Sequence, residues 1–373
     1  CTRGAASAAA RSSTGRGPTS GWTRPRGTSS RAPHTVWTGI VPDITLPRAQ
    51  AALLDLFREE HLRIGVSGYK IDEVDGYDRW LWPDHATFPS GLSGEQMRQV
   101  YGLYLQRITA DMFRARNRRT YGLVRGSNAG AAALPYVIYN DSYSHPDFIT
   151  ALVSSSFIGV LWTPEVRSSR TGEEWLRRMQ SVCFSPLAML NAWADGTKPW
   201  SFPEVADAVR DVMQLRLRLL PYLYTTFAQY HFEGTPPVRA MQLVDGFQPD
   251  AGEEPGRLSS TDNPYAVATR RDIKDQYMLG DHLLVAPMFA GEASRQVVLP
   301  PGKWYDFYTG AYVGGGEVIT VTPGLERIPL FVRDGGIIPL LATARRQVPR
   351  PGEKVDLEVR HYGEAEGQFT LYD

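Results

Sequence analysis

The chain has 373 residues, 42% of them hydrophobic, and this length predicts a globular protein of two or three domains. Its 40 basic residues balance its 40 acidic residues, which argues against a nucleic acid partner and favours a neutral ligand. Its two cysteines form no disulfide framework, its His and carboxylate residues lack metal-ligand spacing, and no apolar run reaches the roughly 20 residues of a membrane span. We therefore expect no metal, no cofactor and no transmembrane helix.

The first 35 residues differ in composition from the rest of the chain. They contain six arginines and many Ser, Thr, Gly and Ala residues, but no acidic residue. This composition predicts a segment without a stable fold. We interpret residues 1–35 as a linker or an out-of-frame translation rather than a transit peptide, because they show no amphipathic apolar period.

Short β-type runs alternate with longer helical patterns over residues 36–240. Strands are predicted at 66–72, 121–125, 136–141, 159–162 and 188–193. One helix is predicted to begin at Ser93, with a carboxylate nearby, and others at 146–157, 173–184 and 204–232. This alternation predicts part of a (β/α)8 TIM barrel, although a doubly wound open sheet gives the same local pattern.

Residues 241–373 have short strands separated by Gly and Pro. Strands are predicted at 283–287, 296–299, 304–308, 318–321, 328–332 and 358–361, with a last strand at 368–373. The pattern predicts an antiparallel β-sandwich domain over residues 241–345 and the start of a distal β-domain over residues 346–373. The fold class is thus α/β, with the C-terminal part of a barrel followed by a sandwich.

Polar side chains close three of the predicted barrel strands. Asp72 ends the first strand, Arg125 the second and Asp141 the third. Because active sites of such barrels lie at the C-terminal ends of the strands, these side chains are expected at one mouth. A glycosidase needs two carboxyl groups there, one to attack the anomeric carbon and one to protonate the leaving oxygen. Taken singly, however, an Asp at a strand end more often only caps the helix that follows.

At these strand ends the sequence resembles glycoside hydrolase family 31. The run Gly68-Tyr-Lys-Ile-Asp72 is similar to the family's nucleophile segment, Leu123-Val-Arg125 to its arginine strand, and Tyr139-Asn-Asp141 to its acid/base motif. Further similar segments follow in the family's order at 174–186, 198–200, 275–287, 304–307 and 328–339. The resemblance covers about residues 37–373.

The resemblance implies a retaining, exo-acting α-glycosidase that hydrolyses terminal α-linked sugars. It implies that Asp72 is the nucleophile, that Asp141 is the acid/base and that Arg125 binds the sugar. The carboxyl groups of a retaining pair lie roughly 5–5.5 Å apart. The expected partner is therefore a carbohydrate substrate, and this mechanism needs no cofactor.

Several further positions are candidates for binding the sugar. Asn191 stands where the family often has a histidine, and Glu165 lies in the segment that replaces the family's Asp-Ile-Gly-Gly. Lys70 is similar to the lysine of the family's xylosidase-like members, and Asp75 and Trp162 complete the set. These departures leave the sugar open, with a glucoside expected first and a galactoside or xyloside next.

Four side chains carry weaker signals. His145, close to Asp141 in sequence, is a candidate proton shuttle. Trp80, Trp82 and Trp193 are candidate stacking surfaces for a sugar ring. For all four, a place in the core is the more common role of such a residue.

Three alternatives remain open from the sequence. A transglycosylase and an α-glucan lyase of the same family use the same nucleophile, and an inactive carbohydrate-binding fragment retains the same residues. Family members carry an N-terminal β-sandwich and three barrel strands before the position of Trp37, which residues 1–35 do not match. We therefore expect this chain alone to have little or no activity. Localisation and oligomeric state stay undetermined.

Overall fold

The computed structural model describes residues 41–72, 74, 82–126, 130–140, 144–190, 196–244 and 273–372. The chain divides into two compact units, Cys1–Asn140 and Asp141–Asp373.

The described part of the first unit is a parallel sheet with two α-helices. Its elements in chain order are α1 (Pro47–Glu60), β1 (Lys70–Ile71), α2 (Gly94–Arg114), β2 (Gly122–Val124) and β3 (Tyr136–Asn140). The strands stand in the order β1-β2-β3 and pair in parallel, so their C-terminal ends share one edge. Each strand lies within its predicted range, which confirms the parallel βα pattern for this part of the chain.

Helix α2 begins with a capping box. The Ser93 hydroxyl accepts from the Gln96 backbone N–H at 3.2 Å, and the Ser93 N–H donates to the Gln96 side-chain oxygen at 3.0 Å. The helix start at Ser93 is thus confirmed, and Glu95 lies in the first turn, although the capping box is made by Gln96. The amide of Gln96 occupies the third helical position, where a side chain can reach back to the cap, whereas Glu95 is one position too early.

The core of the first unit lies between α2 and the sheet. Ile71, Met97, Tyr101 and Val124 are among its buried members. Trp82 belongs to the same core, with 1% of its surface exposed and its indole N–H donating to the Gly94 carbonyl at 2.7 Å. It is therefore a structural residue rather than a stacking surface for a sugar.

The second unit begins with two more βα elements. Strands β4 (Trp162–Val166) and β5 (Met189–Leu190) pair in parallel, with Glu165 opposite Met189. In the described part of this unit, four α-helices accompany them in chain order: α3 (His145–Phe157), α4 (Gly172–Val182), α5 (Ala206–Arg218) and α6 (Leu220–Glu233).

Two predictions for this region need correction. The helix predicted at 204–232 is two helices, because Pro221 has no N–H to donate to the preceding turn and helix α6 restarts around it. The strand predicted at 159–162 begins only at Trp162. Gly159 has a φ of 78°, and the N–H groups of Gly159 and Val160 still close the end of helix α3.

The β-rich part of the second unit contains antiparallel sheets. The strands are β6 (Val238–Arg239), β7 (Tyr277–Leu279), β8 (Leu283–Val285), β9 (Arg295–Val298), β10 (Trp304–Asp306), β11 (Tyr312–Gly314), β12 (Val318–Val321) and β13 (Leu330–Arg333). A six-stranded sheet has the order β11-β10-β13-β8-β7-β6, and the pair β9 and β12 forms a separate two-stranded sheet. Buried side chains of both sheets, including Leu284, Phe331 and Val297, share one core, so the sheets pack face to face.

Strands β14 (Ile337–Leu341) and β15 (Leu357–His361) pair with each other across the predicted domain boundary at 345/346. The predicted last strand is wrong for residues 368–372, to which the structure assigns no strand. Instead, the ring of Phe369 stacks on Tyr222 of α6 and the ring of Tyr372 on Phe232. The apolar side chains of this segment thus contact a helix. The domain boundaries themselves remain a prediction.

None of the helices in the described ranges is long and apolar enough to cross a membrane.

Candidate active site

Asp72 and Arg125 directly follow two paired strands of the first unit. Ile71 stands opposite Val124 in the register of β1 and β2, so the next residue of each strand lies at the same level. Arg125 Nη1 is 3.6 Å from Asp72 Oδ1. Both side chains are partly exposed, 19% for Arg125 and 26% for Asp72, so a ligand can reach them.

Lys70 lies on the same face of β1 as Asp72, because side chains two residues apart on a strand point the same way. Its Nζ is 3.7 Å from Asp72 Oδ2, so among the described residues each carboxylate oxygen has a cation nearby. The same Nζ lies 4.5 Å from the centre of the Tyr139 ring, a cation–π contact. Tyr139 itself is fully buried on β3. The ring therefore provides a rigid surface that holds the lysine beside Asp72.

The backbone around this cluster is fixed by the sheet. The Leu123 N–H donates to the Tyr69 carbonyl at 2.9 Å and the Arg125 N–H donates to the Ile71 carbonyl at 3.0 Å. At Gly122 a Cβ would lie 2.3 Å from the Tyr69 carbonyl oxygen, so only glycine allows this approach of the two strands. The strand end that carries Asp72 is thus held at a set distance from the strand end that carries Arg125.

Two of the predicted sugar-binding residues lie in the second unit and are buried. Trp162 is 5% exposed and its ring meets the edge of Phe148 at a centroid distance of 5.8 Å. Glu165 is 4% exposed on the same strand, β4. Their roles in binding a sugar remain predictions.

His145 is a core residue of the second unit. It is 7% exposed, its Nε2 lies 2.7 Å from the Ser181 hydroxyl, and its ring packs against Phe289 at 4.8 Å. Burial, together with the charges of Arg178 and Arg177, lowers the pKa of His145 to about 3. The imidazole is therefore neutral at physiological pH, and these contacts favour a structural role over that of a proton shuttle.

The other sequence candidates lie outside the described residues: Asp75, Asp141, Asn191, Trp80 and Trp193. Asp141 is the next residue in sequence after β3, and its role remains a prediction. Within the described ranges, no group of three or more His, Cys, Asp or Glu side chains could hold a metal ion.

Sequence reasoning missed two residues with a positional role, one in each unit. In the first unit, Tyr139 stands two positions after Val137, which is level with Lys70 through β2. The second is Arg216 of helix α5, which is half-buried and for which the sequence carried no signal beyond helical spacing.

Arg216 holds the turn between α4 and β5. Its guanidinium donates to the carbonyls of Cys183 at 2.7 Å, Ser185 at 2.8 Å and Pro186 at 3.1 Å. The Tyr277 hydroxyl donates to the remaining carbonyl of this run, at Phe184. Four consecutive carbonyls at the end of α4 therefore receive side-chain donors, which fixes the chain just before β5.

Comparison with known proteins adds the family. The model of the glycosyl hydrolases family 31 TIM-barrel domain matches residues 12–226, and the model of the family's C-terminal domain matches residues 261–338. The barrel match decides between the two parallel architectures that the sequence pattern left open.

Similar curated proteins include an isomaltosyltransferase of Sporosarcina globispora, 26% identical over 76% of this chain and 26% of that protein. Others are an alpha-xylosidase of Saccharolobus solfataricus, 31% identical over 54% of this chain and 25% of that protein, and neutral alpha-glucosidase AB of Sus scrofa, 28% identical over 83% and 34%. The chain thus spans a quarter to a third of the length of these relatives.

Solved structures have the same fold. The cycloalternan-forming enzyme from Listeria monocytogenes superposes with a TM-score of 0.76 at 23% identity, over 95% of this chain and 34% of that one. The GH31 dextranase of Flavobacterium johnsoniae superposes with a TM-score of 0.71 at 22% identity, over 88% and 41%. Together with the two family models, which match most of its residues, these findings show that the chain belongs to glycosyl hydrolase family 31.

Proposed function

We propose that this chain carries the catalytic site of a retaining, exo-acting α-glycosidase that hydrolyses terminal α-linked sugars. The observation that carries the proposal is the Asp72 carboxylate at the C-terminal end of β1, with Arg125 and Lys70 each near one of its oxygens. A partly exposed carboxylate in this position suits attack on an anomeric carbon.

The proposed reaction has two displacements. In the first, an Asp72 oxygen bonds to the anomeric carbon while the bond to the leaving oxygen breaks, and Asp141 gives its proton to that oxygen. In the second, Asp141 takes a proton from water, the water oxygen bonds to the anomeric carbon, and the Asp72 ester bond breaks. The product keeps the anomeric configuration of the substrate because the centre is inverted twice.

The distances around Asp72 suit a nucleophile. Both cations lie 3.6 to 3.7 Å away, beyond the 2.7 to 3.2 Å of a direct hydrogen bond. A short two-pronged bridge from Arg125 would hold the carboxylate charge tightly and oppose its transfer to carbon. At the observed distance the arginine orients the carboxylate without a short two-pronged bridge.

A glucoside is the first substrate to test. Neutral alpha-glucosidase AB and the alpha-glucosidase of Saccharolobus solfataricus are similar to this chain, which supports a glucoside. The similar alpha-xylosidase and the xylosidase-like Lys70 keep a xyloside as the next candidate. Asn191 and Glu165 are the positions at which we expect the sugar to be selected.

Transglycosylation is the second candidate function. It is favoured by the sequence similarity of this chain to the isomaltosyltransferase. The cycloalternan-forming enzyme shares the fold of this chain. In this reaction a sugar hydroxyl, rather than water, attacks the same Asp72 ester. Product analysis with isomaltose or maltose as acceptor separates the two: glucose alone indicates hydrolysis, and longer saccharides indicate transfer.

Covalent trapping tests the proposal directly. A 5-fluoro α-glucosyl fluoride forms the ester with a retaining α-glucosidase, but the fluorine slows its hydrolysis, so the sugar stays attached. Mass spectrometry of the digested protein should find the added sugar on the peptide that contains Asp72, and Asp72→Asn should not be labelled. Trapping needs a single turnover, so it can be read even where this chain is slow. Labelling of another carboxylate would contradict the assignment.

A further inference from the structure

We infer that Gly102, on helix α2, is a positioning residue for the Asp72 and Arg125 pair. The inference rests on the proposed function of that pair. Gly102 does not touch the carboxylate or the guanidinium. It contacts the two chain segments that lead away from them, and its lack of a side chain sets how closely the helix can approach those segments.

The contacts are specific. A Cβ at Gly102 would lie 2.7 Å from the backbone oxygen of Gly126, the residue after Arg125. It would also lie 3.1 Å from a methyl group of Val74, two residues after Asp72. One buried position on α2 thus lies against the residues that follow both strand ends.

The backbone conformation of Gly102 does not by itself require glycine. The residue lies inside a 21-residue helix, and its φ is not positive. Alanine favours a helix over glycine, so propensity alone would place alanine here. The close approach of Gly126 is therefore the feature that needs glycine at this position.

The neighbours cannot all give way. The Gly126 contact is a carbonyl oxygen, which moves only if the backbone moves, and Val74 is 3% exposed in the core. On the helix side, the buried Gln106 amide donates to the Gly102 carbonyl at 3.0 Å and ties down the next turn. An added methyl group therefore shifts the segment after Arg125. A shift of about half an ångström takes the 3.6 Å pair past the 4 Å limit of an ion pair.

A double-mutant cycle tests this role. We expect Gly102→Ala to slow fluorosugar trapping about tenfold or more, since small displacements of catalytic groups have large effects. In the Arg125→Ala background the same change should slow trapping less than twofold, because the group that Gly102 positions is already gone. If the two substitutions slow trapping by factors that simply multiply in the double variant, Gly102 acts independently of Arg125 and the inference is overturned. An unchanged trapping rate in Gly102→Ala alone would also overturn it.

The matched control is Gly172→Ala at the start of α4. Its Cβ would also meet a neighbour, at 2.4 Å, but that neighbour is the flexible carboxylate of Glu204. We expect its trapping rate to be unchanged. If Gly102→Ala does not fold, Val74→Ala removes the second contact of Gly102 and should give a smaller loss that again disappears in the Arg125→Ala background.

A crystal structure of Gly102→Ala gives a reading that does not depend on activity. We expect the distance from Arg125 Nη1 to Asp72 Oδ1 to exceed 4 Å in the variant, and a distance still near 3.6 Å would overturn the inference. If the unchanged chain is not labelled at Asp72 but the distance grows, the proposed function fails while the positioning role stands. If labelling succeeds and the distance is unchanged, only the positioning role fails.

Discussion

Arg125 Nη1 lies 3.6 Å from Asp72 Oδ1, although the two residues are far apart in sequence. Their proximity follows from the parallel register of β1 and β2, in which Ile71 faces Val124. The pair thus depends on the sheet rather than on a local turn. Changes to either side chain should affect chemistry with little effect on folding, because both are partly exposed.

Arginine at position 125 should matter for its shape as well as its charge. We expect Arg125→Ala to lower the rate of fluorosugar trapping by about 100-fold, the order found when one charge-stabilising donor is removed. Arg125→Lys should recover only part of this loss, because an ammonium group lacks the planar fork of donors. Single-turnover trapping rates and thermal melts check both variants.

The control for position 125 is Arg118→Ala. Arg118 is exposed just after α2, before β2 begins, so it lies at the other end of the strand. Its removal should leave the trapping rate unchanged. An equal loss in both arginine variants would contradict a specific role for Arg125.

Lys70 should have a smaller effect than Arg125. Its side chain is 40% exposed and 3.7 Å from Asp72, where solvent weakens the attraction. We expect Lys70→Met to slow trapping by the glucosyl fluorosugar by about twofold to fivefold. If Lys70 helps to select a xyloside, the ratio of the trapping rates with the xylosyl and the glucosyl fluorosugar should also fall.

Trapping rates for the xylosyl and the glucosyl fluorosugar, measured on one enzyme preparation, give the ratio of the two rates free of errors in the concentration of active sites. Lys303→Met, on an exposed lysine of the β-rich part, is the matched control and should change neither value. A larger loss in Lys70→Met than in Arg125→Ala would reverse our ranking of the two cations.

Sequence patterns predicted the strands of the first unit well because they are short, apolar and bounded by turns. The strand ends at Asp72 and Arg125 were located from the same signal. Sequence could not show that Lys70 lies on Tyr139, because this contact depends on the register of three strands. Nor could it show that Gly102 meets the exits of two of them.

Errors occurred where tertiary contacts override local pattern. The segment 368–372 alternates like a strand, yet Phe369 and Tyr372 stack on the rings of α6. The 204–232 helix pattern is continuous in apolar spacing, but Pro221 interrupts it. The sequence pattern also does not predict strands β7 and β14. Both are almost wholly buried, so they lack the alternation of polar and apolar residues that reveals a half-exposed strand.

The turn before β5 should depend on Arg216 for its stability. Three carbonyls lose their donor in Arg216→Met, while the methionine keeps much of the apolar stem. We expect a loss of about 2 kcal/mol in the free energy of unfolding, within the range for unsatisfied polar groups. Urea denaturation followed by circular dichroism measures this change.

Arg210 provides a control on the same helix. It is exposed, and among the described residues its ion-pair partner is Asp207, one turn away. Arg210→Met should change the free energy of unfolding by less than about 0.5 kcal/mol. Equal values for the two methionine variants would mean that the carbonyls near Cys183 are satisfied without Arg216.

His145 should make stability depend on pH. Its pKa is about 3 in the folded protein and 6.5 in the reference state, so the unfolded chain binds the extra proton between these values. His145 therefore reduces the free energy of unfolding only as the pH falls below about 6.5. The reduction is about 2 kcal/mol between pH 7 and pH 5. His145→Gln should therefore lose less stability than the unchanged chain over that interval, as measured by urea denaturation at each pH.

Ser181→Ala, which removes the hydrogen bond to His145 but leaves the imidazole buried, is the control and should keep the steeper dependence of the free energy of unfolding on pH. Equal slopes in His145→Gln and the unchanged chain would show that other groups cause the acid sensitivity.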